Sequence, residues 1–111
     1  MKLHKELAAG RWFKLSLIEQ LANVGMDVER AIRWKQKGNI EYSQQAFERA
    51  LDLLSLSISD VKNKKRLKEI TRAREVLIDY FVYDNEYGST DQSWSDYFYP
   101  FNYAAALKSG R

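Results

Sequence analysis

The chain contains no cysteine, one proline and five glycines among its 111 residues. Without cysteine it cannot form a disulfide scaffold, a thiolate zinc site or a cysteine nucleophile. So few proline and glycine residues leave little material for the many tight turns that a protein of short strands requires. Long helices are therefore the predicted elements.

Catalytic motifs are also scarce. The only histidine is His4, near the amino terminus, and there is no Glu-x-x-His pair, no glycine-rich phosphate loop and no G-x-S-x-G sequence. The sequence therefore lacks the residues for a histidine-based triad or a metal cluster. We predict no catalytic residue, no metal, no cofactor and no small-molecule substrate. An enzyme without standard motifs would need a pocket lined by groups such as Glu19, Asp27 and Arg30.

Long apolar runs are missing too. Residues 1–10 have no apolar core long enough for a signal peptide, and no later run approaches membrane-spanning length. The sequence therefore predicts a cytoplasmic protein with no membrane contact. Its length fits one helical domain over residues 1–111, with residues 1–10 and 108–111 frayed.

Apolar residues recur at alternating steps of three and four, the spacing of one helix face. The first helix is predicted from Gly10 to Gly38, and Asn39 is placed to cap a second helix. Asp60 is placed to cap the third. The predicted apolar faces comprise Leu17, Leu21, Val24, Val28 and Ala31, then Ala46, Phe47, Ala50, Leu51, Leu54 and Ile58, then Leu67, Ile70, Ala73, Leu77, Ile78 and Phe81.

A fourth helix is predicted after the turn at residues 84–88. Ser89 and Gln92 have the spacing of a capping box. Pro100 removes a backbone hydrogen bond and disfavours helical geometry at the residue before it, so a break is expected there. The predicted fold is all-α, an antiparallel up-down bundle of about four helices with the fourth broken near Pro100.

Polar residues also recur at threes and fours along the first helix: Gln20, Asn23, Asp27 and Arg30. Asparagine is a weak helix former, so its presence in mid-helix is informative. A buried polar network and an exposed face both explain the pattern. We expect an exposed face.

Charge is distributed unevenly. Residues 1–74 hold sixteen Lys and Arg against nine Asp and Glu, whereas residues 75–111 hold two against six. The third predicted helix begins with a basic run that is able to bind phosphate backbones. The alternatives are a solvated face and pairing with the acidic carboxy-terminal segment, within the chain or between copies. The candidate nucleic-acid-binding residues are Lys62, Lys64, Lys65, Arg66, Lys68 and Arg72.

The acidic segment carries ten of the fifteen aromatic residues. This is more aromatic area than one short helix needs, and aromatic residues with a polar group are enriched at interfaces. The alternative is that they close the end of the bundle around the Pro100 break. Trp94, Phe98 and Phe101 are the predicted buried face of the fourth helix. The candidate interface residues are Tyr87, Trp94, Tyr97, Phe98, Tyr99, Phe101 and Tyr103.

Two family resemblances bear on function. Residues 38–51 contain a Gly-Asn pair followed by an Ala-x-x-x-Ala-Leu pattern that locally resembles one tetratricopeptide repeat, but no second copy follows 34 residues later. The layout of the whole chain is similar to small bacterial bundles of the HEPN type and of the type encoded in ribosomal-RNA intervening sequences. That resemblance implies RNA-related or toxin–antitoxin roles, often in oligomers. Ribonuclease activity is not implied, because no arginine is followed by the histidine that HEPN nucleases use.

These observations lead to two hypotheses about function. The first is a non-enzymatic interaction or accessory protein that binds itself or another protein through the aromatic segment. The second is an RNA-binding protein that uses the basic third helix.

Overall fold

The computed structural model describes residues 10–109. These residues form four α-helices, and helices that follow each other in the chain run antiparallel. Two short 3-10 helices precede the first and the third α-helix. The predicted all-α bundle is confirmed, and residues 10–109 contain no strand. The α-helices are α1 (Leu17–Gln36), α2 (Ile40–Ser59), α3 (Leu67–Phe81) and α4 (Asp91–Lys108), and the 3-10 helices are Trp12–Lys14 and Val61–Arg66.

The first helix begins later than predicted. Gly10 and Arg11 are helical and lead into the first 3-10 helix, and the backbone is extended at Ser16. The Ser16 side chain accepts a hydrogen bond from the Glu19 amide, and the Glu19 carboxylate accepts one from the Ser16 amide. This capping box starts α1 at Leu17 because it satisfies two amides that a helix end leaves without partners.

The predicted connection between α1 and α2 is confirmed. Gly38 has φ +79°, the left-handed conformation that favours glycine. Its amide bonds to the Lys35 carbonyl and the Asn39 amide to the Trp34 carbonyl, which closes a Schellman motif. The Asn39 side chain then accepts from the Tyr42 amide and begins α2.

The third helix also differs from the prediction. Asp60 does accept a hydrogen bond from the Lys62 amide, but the segment that it caps is the 3-10 helix, and α3 begins only at Leu67. Asn63 is the buried residue of this 3-10 helix. Its side chain donates to the Gln20 side chain and to the Ser57 carbonyl.

The fourth helix is continuous, so the predicted break at Pro100 is wrong. Its capping box uses Thr90 and Ser93, one residue later than predicted. Pro100 removes only the hydrogen bond to the carbonyl of Asp96, and both residues lie on an exposed face where water can replace the missing donor. Contacts with α1 on the opposite face hold the helix together.

Helix α1 lies between α2 and α4 and packs extensively on both, whereas α3 packs mainly on α2. Helix α4 packs directly on α1 at Gly25. A β-carbon at this position would lie 2.8 Å from Cβ of Phe98. Phe98 is 1% exposed. The core includes Leu21, Val24, Val28, Phe47, Leu53, Leu54, Ile70, Leu77, Trp94 and Phe98.

The polar pattern on α1 is only partly exposed, so the prediction of an exposed polar face is wrong for Gln20 and Asp27, which are 0% and 4% exposed. Gln20 donates to Asp60, at 2.9 Å, and to the Trp12 carbonyl, at 3.0 Å. Its Oε1 accepts from the Ser57 hydroxyl. Gln20 thus joins α1, α2 and both 3-10 helices, and it satisfies groups that are costly to bury without partners.

The start of α4 is held by polar contacts. Asp91 accepts from the Tyr80 hydroxyl, from Lys35, at 3.3 Å, and from Gln36, at 3.0 Å. Burial opposes ionisation of Asp91, but the hydrogen bonds and the Lys35 charge outweigh it and lower the pKa of this carboxyl group. At the other end of α4, Lys108 pairs with Glu19 at 3.3 Å.

The contact between Gly25 and Phe98 can be tested by Gly25→Ala. Helix propensity alone would favour alanine by about 1 kcal/mol. We expect instead that the new methyl group displaces Phe98 and lowers the free energy of unfolding by about 1–3 kcal/mol, measured by urea denaturation. Gly10→Ala is the control, since no atom of residues 10–109 lies within 4 Å of its β-carbon position. A stabilised Gly25→Ala variant would contradict the packing.

Acid should destabilise the fold through Asp60 and Asp91. Burial would raise the pKa of Asp60, but hydrogen bonds from Lys62 and Gln20 lower it overall. Both carboxyl groups have folded pKa values below the unfolded value of about 3.9. Their contribution is therefore complete above about pH 4 and is lost as pH falls through the folded pKa values.

Urea denaturation at pH values from neutral to strongly acidic measures this dependence. We expect Asp60→Asn to be less stable than wild type at neutral pH and to lose less stability on acidification. Asp84→Asn, at an exposed position, is the matched control. Identical acid slopes for wild type and Asp60→Asn would contradict the role of Asp60.

Candidate interaction surfaces

The predicted aromatic interface divides between the core and the surface. Trp94 and Phe98 are 5% and 1% exposed, so they belong to the core and offer no surface to a partner. Their rings stack on each other at 5.9 Å. The prediction that they form the buried face of the fourth helix is confirmed, and their assignment as interface residues is corrected.

Tyr97 and Phe101 are half-buried on the side of α4 that faces α3. The Tyr97 hydroxyl donates to Oε2 of Glu69 at 3.0 Å. Burial, together with the negative charge of Glu69, raises the pKa of Tyr97 well above its ordinary value. The ring of Phe101 lies 5.7 Å from that of Tyr97 and packs against the core.

Three of the predicted interface residues are exposed. Tyr99 and Tyr103 are 64% and 57% exposed, and their rings stack at 6.2 Å one turn apart. Tyr87 lies in the turn before α4, with the Arg72 guanidinium 5.6 Å from its ring. Tyr99 and Tyr103 therefore share one surface, and Tyr87 lies on another.

One face of α4 consists of four exposed residues at steps of four, three and four. We call Asp96, Pro100, Tyr103 and Leu107 the outer stripe. No charged residue occurs between Asp96 and Lys108. Sequence reasoning missed the stripe because it treated Pro100 as a break, although the spacing was available.

The carboxy-terminal half of α4 has apolar residues on several sides. Phe98 faces the core, Phe101 is half-buried, and Tyr99, Tyr103 and Leu107 are exposed. A helix that is apolar around its circumference is ordinarily covered on every side. Within residues 10–109, nothing covers the outer stripe.

Part of the basic run is neutralised by local partners. Lys62 pairs with Asp60. Arg66 makes a two-point contact with Glu69, and Arg72 lies 3.8 Å from Glu75. These pairs use carboxylates within residues 60–75. Glu75, the first residue of the acidic carboxy-terminal segment, is the only member of that segment among these partners in the described part of the chain.

Three predicted nucleic-acid-binding cations differ from the others. Lys64, Lys65 and Lys68 are exposed and form no ion pair within residues 10–109. Lys64 and Lys65 lie in the second 3-10 helix, and Lys68 lies in the first turn of α3. The six candidates therefore do not form one uniform basic helix face.

The two predicted surfaces meet at a groove of about 280 Å³ between α3 and α4. Ala73, Val76 and Trp94 supply apolar lining, and Arg72 and Glu69 supply charges. The indole nitrogen of Trp94 is buried without a hydrogen-bond partner in the described chain. The groove is thus an apolar depression bordered by two charged side chains of α3, Glu69 and Arg72.

The described residues provide no group of three or more His, Asp or Glu side chains that could hold a metal. His4 lies outside residues 10–109, as do residues 1–9 and 110–111 of the segments predicted to fray. Lys108 and Ser109 close α4 instead. No helix between residues 10 and 109 has both the length and the apolar character needed to cross a membrane, and the cytoplasmic location stays a prediction.

The chain matches no protein-family model, and no curated protein or solved structure to which it was compared is detectably similar to it. The layout resemblance to HEPN-type and intervening-sequence bundles therefore stays a prediction. Any functional proposal has to be argued from the surfaces themselves.

Proposed function

We propose that this chain is a non-enzymatic helical-bundle interaction protein that self-associates through the outer stripe of α4. The observation that carries the proposal is the exposed part of this helix face after Asp96, where Pro100, Tyr103 and Leu107 are accessible and no charged residue occurs before Lys108. Leu107 is 58% exposed, as strongly as Tyr103, and both lie on this face. Large exposed apolar patches commonly mark protein contacts.

The spacing of the stripe suits contact with a second copy. A two-fold contact uses the same patch on both subunits, so the patch must be complementary to itself. The 4-3-4 spacing reads the same in both directions along the helix. Two α4 helices packed antiparallel would place Tyr103 of each copy on Pro100 of the other, and Leu107 beside Asp96.

The charge distribution along α4 and the area available for contact also favour a second copy of the chain as the partner. The stretch between Asp96 and Lys108 is uncharged, so an antiparallel pair brings no like charges together at its centre and places opposite charges near its ends. Helix α4 has 18 residues, which corresponds to about 27 Å of length. Tyr99, which is 64% exposed and whose ring stacks on that of Tyr103, extends the area available for contact.

RNA binding is the second candidate function, and the three unpaired lysines favour it. Each phosphate contact by Lys64, Lys65 or Lys68 would release counterions. Since the other three candidate cations already have carboxylate partners, we expect these lysines to contribute most of the electrostatic affinity. Three contacts on a single strand predict a slope of log affinity against log salt of about −2.

The self-association proposal predicts a change in mass for Tyr103→Lys. The two added cations, each opposite Pro100 of the other copy, would lie only about 4.5 Å apart along the helix axis, where like charges are unfavourable. Light scattering coupled to size-exclusion chromatography should show a dimer for wild type at tens of micromolar. The variant should require at least about tenfold higher concentration to associate.

Tyr83→Lys is the matched control, because Tyr83 is a tyrosine that is 71% exposed outside α4. It should associate as wild type does. A wild-type chain that is monomeric over the whole concentration range, or equal association by both variants, would contradict the proposal.

The RNA hypothesis predicts that wild type retains a generic single-stranded RNA at low salt and releases it at high salt. Changing Lys64, Lys65 and Lys68 to serine should remove most of this affinity. The control changes Arg11, Lys14 and Arg33 to serine, which alters net charge equally elsewhere on the protein. Equal RNA affinity in the two triple variants, or affinity independent of salt, would contradict RNA binding by this surface.

A further inference from the structure

A second surface feature lies on the other side of α1, where two arginines from different helices share one buried carboxylate. The side chain of Asp27 is 6% exposed. Nη1 of Arg30 lies 3.1 Å from its Oδ1, and Nε of Arg49 lies 3.6 Å from its Oδ2. The arginine side chains are 49% and 47% exposed. The carboxylate therefore orients both guanidinium groups while about half of each remains accessible.

The arginines border a cleft of about 330 Å³ between α1 and α2. Trp34 and Tyr42 form one wall, with their rings edge to face at 4.9 Å. The cleft contains no acidic residue among those that line it. Its lining consists of Arg30, Trp34, Tyr42, Gln45, Ala46 and Arg49.

These side chains together suit one class of ligand. A guanidinium group carries five N–H donors, and the contacts to Asp27 use only part of each set. The remaining donors match the oxygens of a phosphate group. The tryptophan and tyrosine rings offer surfaces for a flat ring, and the Gln45 amide can both donate and accept hydrogen bonds. Lys37, 5.3 Å above the Trp34 ring, adds positive charge nearby.

We propose that this cleft binds a nucleoside phosphate, with Arg30 and Arg49 on the phosphate and the base against Trp34 and Tyr42. The cavity volume is at the lower end of the range for small-ligand sites, which fits one nucleotide. The nucleotide is either free or part of a single strand, and both forms present the same chemistry. This site is independent of the outer stripe.

The cleft also accounts for the exposure of Tyr42 and for the position of Arg49. Tyr42 is 48% exposed although it is an aromatic residue in the first turn of a helix. Arg49 reaches Asp27 from another helix, even though Arg30 already pairs with that carboxylate. One arginine would balance one carboxylate, and the second leaves the cleft with a surplus positive charge.

Isothermal titration with adenosine monophosphate tests the proposal. We expect saturable binding with a dissociation constant of about 1 mM or tighter. Adenosine, which lacks the phosphate, and ribose 5-phosphate, which lacks the base, should each bind at least about tenfold more weakly. Ribose 5-phosphate binding as tightly as adenosine monophosphate would overturn the role of the aromatic wall.

The decisive variant is Gln45→Glu, which places a carboxylate in the cleft and leaves Asp27 and both arginines intact. Affinity for adenosine monophosphate should fall at least about tenfold. Gln44→Glu is the matched control, because it adds the same charge at the neighbouring exposed position outside the cleft. Its affinity should be close to that of wild type.

Unchanged binding by Gln45→Glu, equal losses in both variants, or no binding to wild type at millimolar nucleotide would overturn the proposal. Circular dichroism and thermal unfolding establish that both variants fold. A short oligoadenylate distinguishes the two sources of ligand. Affinity well above that of the mononucleotide, and lost in Gln45→Glu, assigns the cleft to a strand, whereas equal or weaker affinity assigns it to a free nucleotide.

Discussion

The architecture depends on one close contact, the packing of Phe98 directly on Gly25. Any side chain at position 25 would overlap the phenyl ring, since even a β-carbon would lie 2.8 Å from the Phe98 side chain. A glycine in mid-helix costs about 1 kcal/mol relative to alanine, so the contact offsets a local penalty. Because Phe98 points into α1, the rotation of α4 about its own axis is fixed. The residues on the opposite side, including Pro100 and Tyr103, must then face outward.

Polar contacts fix the two ends of the same helix and the amino-terminal side of the bundle. Asp91 is held by Lys35 and Tyr80 at the start of α4, and Lys108 contacts Glu19 at its end. On the amino-terminal side, the Gln20 side chain is hydrogen-bonded to the Trp12 carbonyl, to Asp60 and to Ser57, and it holds these segments against α1. Together these contacts explain how α4 remains one helix through Pro100: its ends and its inner face are held, and only its exposed face carries the proline.

The sequence predicted the helical class, the Gly38 turn, the Asn39 cap and most core positions, because periodicity and capping chemistry are local. The predictions from sequence were wrong where contacts between residues distant in the chain determine the structure. The burial of Gln20 and Asp27 depends on partners distant in sequence, so their helical spacing resembled that of a surface face. Pro100 was misjudged because the proline rule does not include packing on the other side of the helix. The cleft at Arg49 was missed since its residues come from two helices and have no motif spacing.

In the dimer that we propose, the rotation of α4 presents the outer stripe to a second copy of the chain. Because the sequence lacks cysteine, the single substitution Tyr103→Cys and its control Tyr83→Cys report directly on this geometry. Antiparallel α4 helices would bring the thiols introduced at position 103 of the two copies within reach of a disulfide, for which Cα atoms must lie within about 7 Å. We expect rapid oxidative cross-linking of Tyr103→Cys to a covalent dimer and little for Tyr83→Cys. Equal or absent cross-linking at the two positions would contradict it.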